Sequence, residues 1–244
     1  MPGPHDLVIA RRTESFFGMT RFFGFPGAAL DATPGPPRLI EMIGDSITCG
    51  YGVLDVGPSC PFKSATEAET HAWGSFAAEE LAAAHVSIAY SGIGMAINSS
   101  GGTIDTMPER YLHVLAADTT NTWSFSYTPD VIVINLGTND FAHGDPGQAF
   151  VTSYVGFVQM LRSHFANTPV LLATSPMLWG PSRTKARGYL DEVAMTLADP
   201  NVRVVEIAKQ LATDGYGCGN HPSEITAHKM ADQLVPAIRD ATGW

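Results

Sequence analysis

The chain has 244 residues, of which 45% are hydrophobic and 16% charged, and its net charge is -10. That length suits one α/β domain with a sizeable core plus a small appendage. The 14 Lys and Arg residues form no basic cluster. This argues against nucleic acid, which needs clustered cations to replace phosphate counterions, and the acidic surface favours neutral substrates over polyanions.

No stretch approaches the roughly 20 apolar residues that span a bilayer. Met1 to Asp6 shows no basic region followed by an apolar one, so no export signal is visible. The expectation is a cytoplasmic protein or one whose signal has been removed. Three cysteines cannot all pair with one another, C-x-x-C spacing is absent and the eight histidines are scattered. No metal or cofactor is implied.

In chain order, Asp6 to Thr13 and Phe16 to Phe25 read as two strands, and Gly27 to Pro37 as a Gly- and Pro-rich linker. Residues 1–37 are therefore expected to form a β-appendage and 38–244 the main domain. Two strands alone are marginal, so they must pack on the domain or on a partner. Their unpaired edges would favour a homo-oligomer. Arg38 to Ile43 is a short strand. Thr66 and Glu69 have capping-box spacing and predict a helix through Ala83. Val86 to Tyr90 is a strand and Tyr111 to Ala116 a short helix. Val131 to Leu136 is a β-branched, buried strand. Asp145 and Pro146 open a helix in which Val151, Tyr154, Val158, Leu161 and Phe165 form one apolar face. Val170 to Ala173 is a strand, 183–198 a helix and Val202 to Ile207 a strand. The last helix runs from Ser223 to Asp240, with Pro236 kinking it or marking its final turns.

Strand-helix alternation predicts an α/β fold with a parallel sheet between helical layers. Ligands bind at the carboxyl ends of such strands. Gly44-Asp45-Ser46 follows the first strand, Ser91-Gly92-Ile93-Gly94 the second and Gly137-Thr138-Asn139-Asp140 the third. Asn220-His221-Pro222 precedes the last helix. These residues match what acyl transfer requires. A serine needs a base to take its proton, and histidine titrates near neutrality. The tetrahedral intermediate needs fixed donors. Ser46 is the candidate nucleophile and His221 the base. The Ser46 N–H, the Gly94 N–H and the Asn139 amide are candidate oxyanion donors. Gly92 reads as a turn glycine. Gly92 and Gly94 also resemble the start of a dinucleotide fingerprint, but its third glycine is missing: position 97 is Ile.

The four blocks, GDSIT at 44–48, Gly94 in YSGIG, GTND at 137–140 and HP at 221–222, resemble in kind and order those of the SGNH (GDSL-type) hydrolases. The stretches IGDSITCGYG, AYSGIGM and GYGCGNHPS are more specifically similar to family 2 carbohydrate esterases. The resemblance implies a three-layer sandwich with a central parallel sheet and a serine esterase acting on short-chain acyl esters. It implies O-acetyl groups on sugars or xylan-type polysaccharides as substrates. It also implies that residues 1–37 are the remnant of a jelly-roll domain. The alternatives are a lipase or thioesterase of the same superfamily, and a carbohydrate-binding protein without catalysis.

One position departs from the family's pattern: Cys218 stands where its DxxH aspartate should be. We expect a Ser-His dyad in which a backbone carbonyl near Cys218 orients His221, and a bond from His221 to Asp214 would refute it. Cys49 and Cys218 lie three residues from Ser46 and His221 and form either a bracing disulfide or two buried thiols, with Cys60 incidental. Trp179, after the fourth strand, is a candidate sugar-stacking wall or a packing residue. Tyr51 and Tyr216 are weaker candidates.

Overall fold

The computed structural model describes residues 7–27, 35–115, 118 and 120–244. Five parallel strands form one sheet: β1 (Leu39–Gly44), β2 (Ala84–Ala89), β3 (Val131–Asn135), β4 (Val170–Ala173) and β5 (Val202–Val205), in the order β2-β1-β3-β4-β5. Ile40 pairs with Val131 and Gly44 with Asn135, so β1 and β3 end level with each other. The helices are α1 (Ser46–Cys49), α2 (Trp73–Glu80), α3 (Met107–Arg110), α4 (Gln148–His164), α5 (Gly180–Leu197) and α6 (Glu224–Thr242).

Alternation along the strands fills two cores. Ile40, Met42, Val131 and Val133 meet α2 and α6 on one face. Ile43, Ile132 and Ile134 meet α4 and α5 on the other. Every residue of β3 is buried, as its β-branched run requires when helices cover both faces. The predicted α4 stripe is buried at Val151, Tyr154, Val158, Leu161 and Phe165. Pro236 sits inside α6, which continues to Thr242 and marks no earlier end. Among the described residues no helix is long and apolar enough to cross a membrane.

Glu41 is the exception on the α4 face of β1. It is fully buried and accepts from Tyr111 Oη at 2.6 Å and Tyr127 Oη at 2.7 Å. Burial pushes its carboxyl up, and the two phenols pull it partly back. The pair ties the irregular crossover after α3 to the sheet. Tyr111→Phe would leave one buried carboxylate oxygen unpaired and should destabilise the fold by roughly 1–3 kcal/mol. A urea titration checks this: the midpoint should fall at unchanged slope, and an unmoved midpoint would refute the role.

Several local expectations are corrected. Thr66 bonds Lys63 at both its hydroxyl proton and its lone pair, and Glu69 is used by His85 and Ser87 of β2. The capping box therefore does not form, and α2 starts at Trp73. The short helix expected at 111–116 is α3, displaced to Met107–Arg110 with Pro108 in its first turn; Ala116 lies outside the described residues. Asp145 does not open α4. It accepts from Gly147 N–H and Tyr189 Oη and pairs with Lys185, tying α4 to α5.

Residues 7–27 contain one 3-10 turn, Ser15–Phe17, and no strand, which corrects the two-strand reading over its described part. Their hydrogen bonds go to loops rather than to a ladder. Arg12 O accepts from Glu69 N–H, the Arg12 guanidinium from one side reaches Ala65 O and Glu67 O, and Glu14 N–H donates to Glu67 Oε1. The strand edges on which self-association rested are thus absent from the described part of this segment. Asp6 and residues 28–34 of the expected linker lie outside the described residues.

Candidate active site

The chain leaves β1 at Gly44 and turns at once into α1. Asp45 is the N-cap: its Oδ1 accepts from Ile47 N–H at 2.9 Å. Ser46 is therefore the first residue of the helix and not its cap, and its hydroxyl is left for other work. It is 6% exposed. No group among the described residues accepts its N–H.

His221 comes from the other end of the chain. It follows a 3-10 turn, Cys218–Asn220, just before α6. Its Nε2 lies 2.7 Å from Ser46 Oγ and its Nδ1 3.1 Å from Cys218 O. A carbonyl can only accept, so Nδ1 carries the proton and Nε2 faces the serine as an acceptor. Asp214 is engaged elsewhere: its carboxylate pairs with Lys229 and its carbonyl accepts from Ser223 Oγ. Burial pushes His221 down to about 4, and the Cys218 and Gly219 backbone raises it in part. The ring is thus a neutral base through the whole mildly acidic range. Tyr51 stacks on its face at 4.1 Å and Phe62 stacks on Tyr51 at 3.7 Å.

The block after β3 stitches the site together. Asn139 Nδ2 donates to Ile93 O at 2.7 Å and to Asp45 Oδ2 at 3.4 Å. Asp140 accepts from the N–H groups of Met95, Ala96 and Ile97 at 2.7–3.0 Å. These bonds hold the loop after β2 against the start of α1. Burial pushes Asp45 up to about 7, with Ile47 N–H pulling it down and the Asp140 charge adding to the rise. The loop passes so close that a Cβ at Gly94 would fall 1.9 Å from Ile97 O. Gly94 N–H does not stand free: it donates to Asn98 Oδ1 at 2.9 Å. Gly92 has φ +81°, which fits its reading as a turn glycine.

Trp179, at the N-cap of α5, is 75% exposed, so packing does not explain it. The cysteine pairing is corrected. Cys218 bonds Cys60, and Cys49 is a buried free thiol. Cys49 ends α1 and is buried beside Glu14, Glu67 and Ser91, while the loop carrying Cys60 folds back over the turn at 218.

Residues 42–228 match the GDSL-like Lipase/Acylhydrolase family. The chain belongs to that family. Among its relatives in the family's esterases, it is 36% identical to cellulase/esterase CelE of Acetivibrio thermocellus over 99% of its own length. It spans 31% of that protein's length. It is 30% identical to an acetylxylan esterase / glucomannan deacetylase of Cellvibrio japonicus, over 99% of this chain and 71% of the other. Its fold resembles a family two carbohydrate esterase from Clostridium thermocellum solved with cellohexaose. The TM-score is 0.83 and the identity 35%, over 88% of this chain and 67% of that one.

Within this GDSL-like framework, sequence reasoning missed three residues that shape the site. Asn98 takes the Gly94 N–H. Glu14 reaches from the leading segment to accept from Ser91 N–H at 2.7 Å. Phe62 braces Tyr51. Only Asn98 carried a signal, as an amide four residues past the motif glycine.

Proposed function

We propose that this chain is a serine esterase that removes O-acetyl groups from sugars or xylan-type polysaccharides. The observation that carries the reading is the 2.7 Å contact between Ser46 Oγ and His221 Nε2 in a GDSL-like family member. Ser46 Oγ attacks the ester carbonyl carbon as its proton passes to His221 Nε2. The carbon-oxygen bond to the sugar then breaks, and Nε2 returns the proton to the leaving hydroxyl. Water repeats the sequence on the acetyl-serine, releasing acetate and restoring Ser46.

The oxyanion is held by the Ser46 N–H and by the Asn139 amide, which gives up its long 3.4 Å bond to Asp45 Oδ2 to do so, with Gly94 N–H joining when it shares its bond to Asn98. The orienting partner of His221 is Cys218 O in place of a carboxylate. Trp179 offers an exposed ring face to a sugar, since aromatic faces suit the apolar side of a pyranose. We place the boundary of the hydrolase domain at residue 38, with residues 1–37 a leading segment. The acetylxylan esterase and the cellohexaose complex among the relatives support a carbohydrate ester over a long-chain lipid.

Chain length tests the substrate class. Nitrophenyl esters from acetyl to octanoyl, with acetylated xylan alongside, should show a steep fall beyond the shortest acyl groups and acetate release from the polysaccharide. A preference for octanoyl would make the enzyme a lipase.

The low position of His221 also sets a pH dependence. A general base works only when neutral, so kcat/KM should hold from neutrality down to about pH 4 and decline below it. Rates read in brief assays, with activity recovered on return to neutral pH, separate this from unfolding. A limb near the ordinary imidazole value of about 6.5 would mean that the ring is hydrated.

A further inference from the structure

An imidazole base with a carboxylate behind it is held by charge as well as by a hydrogen bond. His221 Nδ1 faces the neutral carbonyl of Cys218 in place of a carboxylate, and that carbonyl must be placed by the chain around it. That carbonyl accepts both the His221 N–H at 3.2 Å and Nδ1 at 3.1 Å. Its residue is fastened at two points. Cys218 N–H donates to Gly52 O at 3.1 Å, and Cys218 is disulfide-bonded to Cys60. The approach to Gly52 is so close that a Cβ there would lie 2.5 Å from Cys218 Cβ.

The loop that supplies Cys60 also touches the ring face of His221 indirectly. Phe62, two residues on, stacks on Tyr51 at 3.7 Å, and Tyr51 stacks on His221 at 4.1 Å. This loop has no strand or helix, and most of its backbone bonds, such as Leu54 N–H to Thr66 O and Cys60 N–H to Gly57 O, stay within the loop, with Gly57 N–H to Tyr216 O reaching toward the histidine turn. The covalent bond is thus the firmest tie between the loop and the histidine turn.

We propose that Cys60 is a positioning residue: its bond to Cys218 fixes the carbonyl that orients His221 and holds Phe62 against Tyr51, so that ester hydrolysis depends on this pair being oxidised. The inference rests on the reading of Ser46 and His221 as nucleophile and base. Reduction by a dithiol breaks the single S–S bond. Two electrons and two protons pass from the dithiol, which closes to its own disulfide, and Cys60 and Cys218 become thiols. Cys60 is half-buried and open to attack, whereas Cys218 is buried.

The test compares the wild type and Cys60→Ala, each with and without dithiothreitol, on 4-nitrophenyl acetate below the melting temperature of both. Alkylation under denaturing conditions reports the redox state: the wild type shows one reactive thiol (Cys49) before reduction and three after it, and Cys60→Ala shows two throughout. Dithiothreitol should lower the wild-type kcat roughly ten- to a hundred-fold, as misplaced catalytic groups do, with KM little changed. Cys60→Ala should begin at the lowered kcat and ignore the reductant. The exchange-protected Nδ1–H proton resonance of His221 should be present in the oxidised wild type and lost in the reduced wild type and in Cys60→Ala, a readout that a merely stabilising disulfide would not move. A folded Cys60→Ala with wild-type kcat, or a wild type with three reactive thiols and undiminished kcat, would overturn the proposal. If Cys60→Ala does not fold, reduction of the folded wild type decides alone. Ser46→Ala separates the two levels. An active Ser46→Ala refutes the esterase assignment itself, whereas an inactive one beside an unimpaired Cys60→Ala refutes only the role of the disulfide.

Discussion

Alanine in place of Ser46 should lower ester turnover by roughly a millionfold, the scale seen when the nucleophile of a serine hydrolase is removed. The fold should survive. Asp45, not Ser46, caps α1 through the Ile47 N–H, so the substitution removes a hydroxyl whose one side-chain partner is His221 Nε2. Loss of activity would therefore report chemistry rather than unfolding. The small remainder should be hydrolysis by water at a site that still binds the ester and its oxyanion. Initial rates on 4-nitrophenyl acetate, with a urea midpoint measured beside them, check both halves. A folded Ser46→Ala with near wild-type rate would end the serine mechanism.

Asn139→Ala should cost roughly a hundred- to a thousand-fold in kcat, as deletion of an oxyanion donor does elsewhere. The effect should fall on kcat more than on KM, because the amide gains its full value only as charge develops on the carbonyl oxygen. Here a stability cost accompanies it. The amide also donates to Ile93 O and Asp45 Oδ2, and leaving those acceptors unpaired should cost about 1–3 kcal/mol. Steady-state kinetics on the folded variant separate the two. A kcat within a few-fold of wild type would remove Asn139 from the oxyanion site.

The sheet was legible because its signal is local. VIVIN can be buried on both faces or nowhere, and the rule that sites gather at strand ends brings Ser46, Gly94 and Asn139 together from the sequence alone. His221 was placed by its block, and the lack of a carboxylate behind it was visible as Cys218 at the expected position. The group that takes its place is a backbone carbonyl, which every residue has, so no sequence pattern could mark this one out.

The misreadings share a cause: tertiary partners overrode local pattern. Glu69 has the spacing of a capping box, yet β2 offers it His85 and Ser87. The apolar runs before residue 26 look like strands, but Gly18 at φ +90° closes a turn after Phe17 and the polar bonds run to loops instead. Sequence proximity to Ser46 favoured Cys49 as the partner of Cys218. Cys49 is instead buried at the end of α1 beside Glu14, Glu67 and Ser91, while Cys60 returns from a distant loop to meet Cys218.

Labelling by an activated phosphonate ester tests the central claim most directly, because such reagents phosphonylate a serine only where a base takes its proton and an oxyanion site receives the phosphoryl oxygen. Peptide mass mapping should find one label, on Ser46, with activity lost in proportion to its incorporation and no labelling of a folded His221→Ala. Complete inactivation with the label on another residue, or full labelling of Ser46 with ester hydrolysis undiminished, would contradict the account.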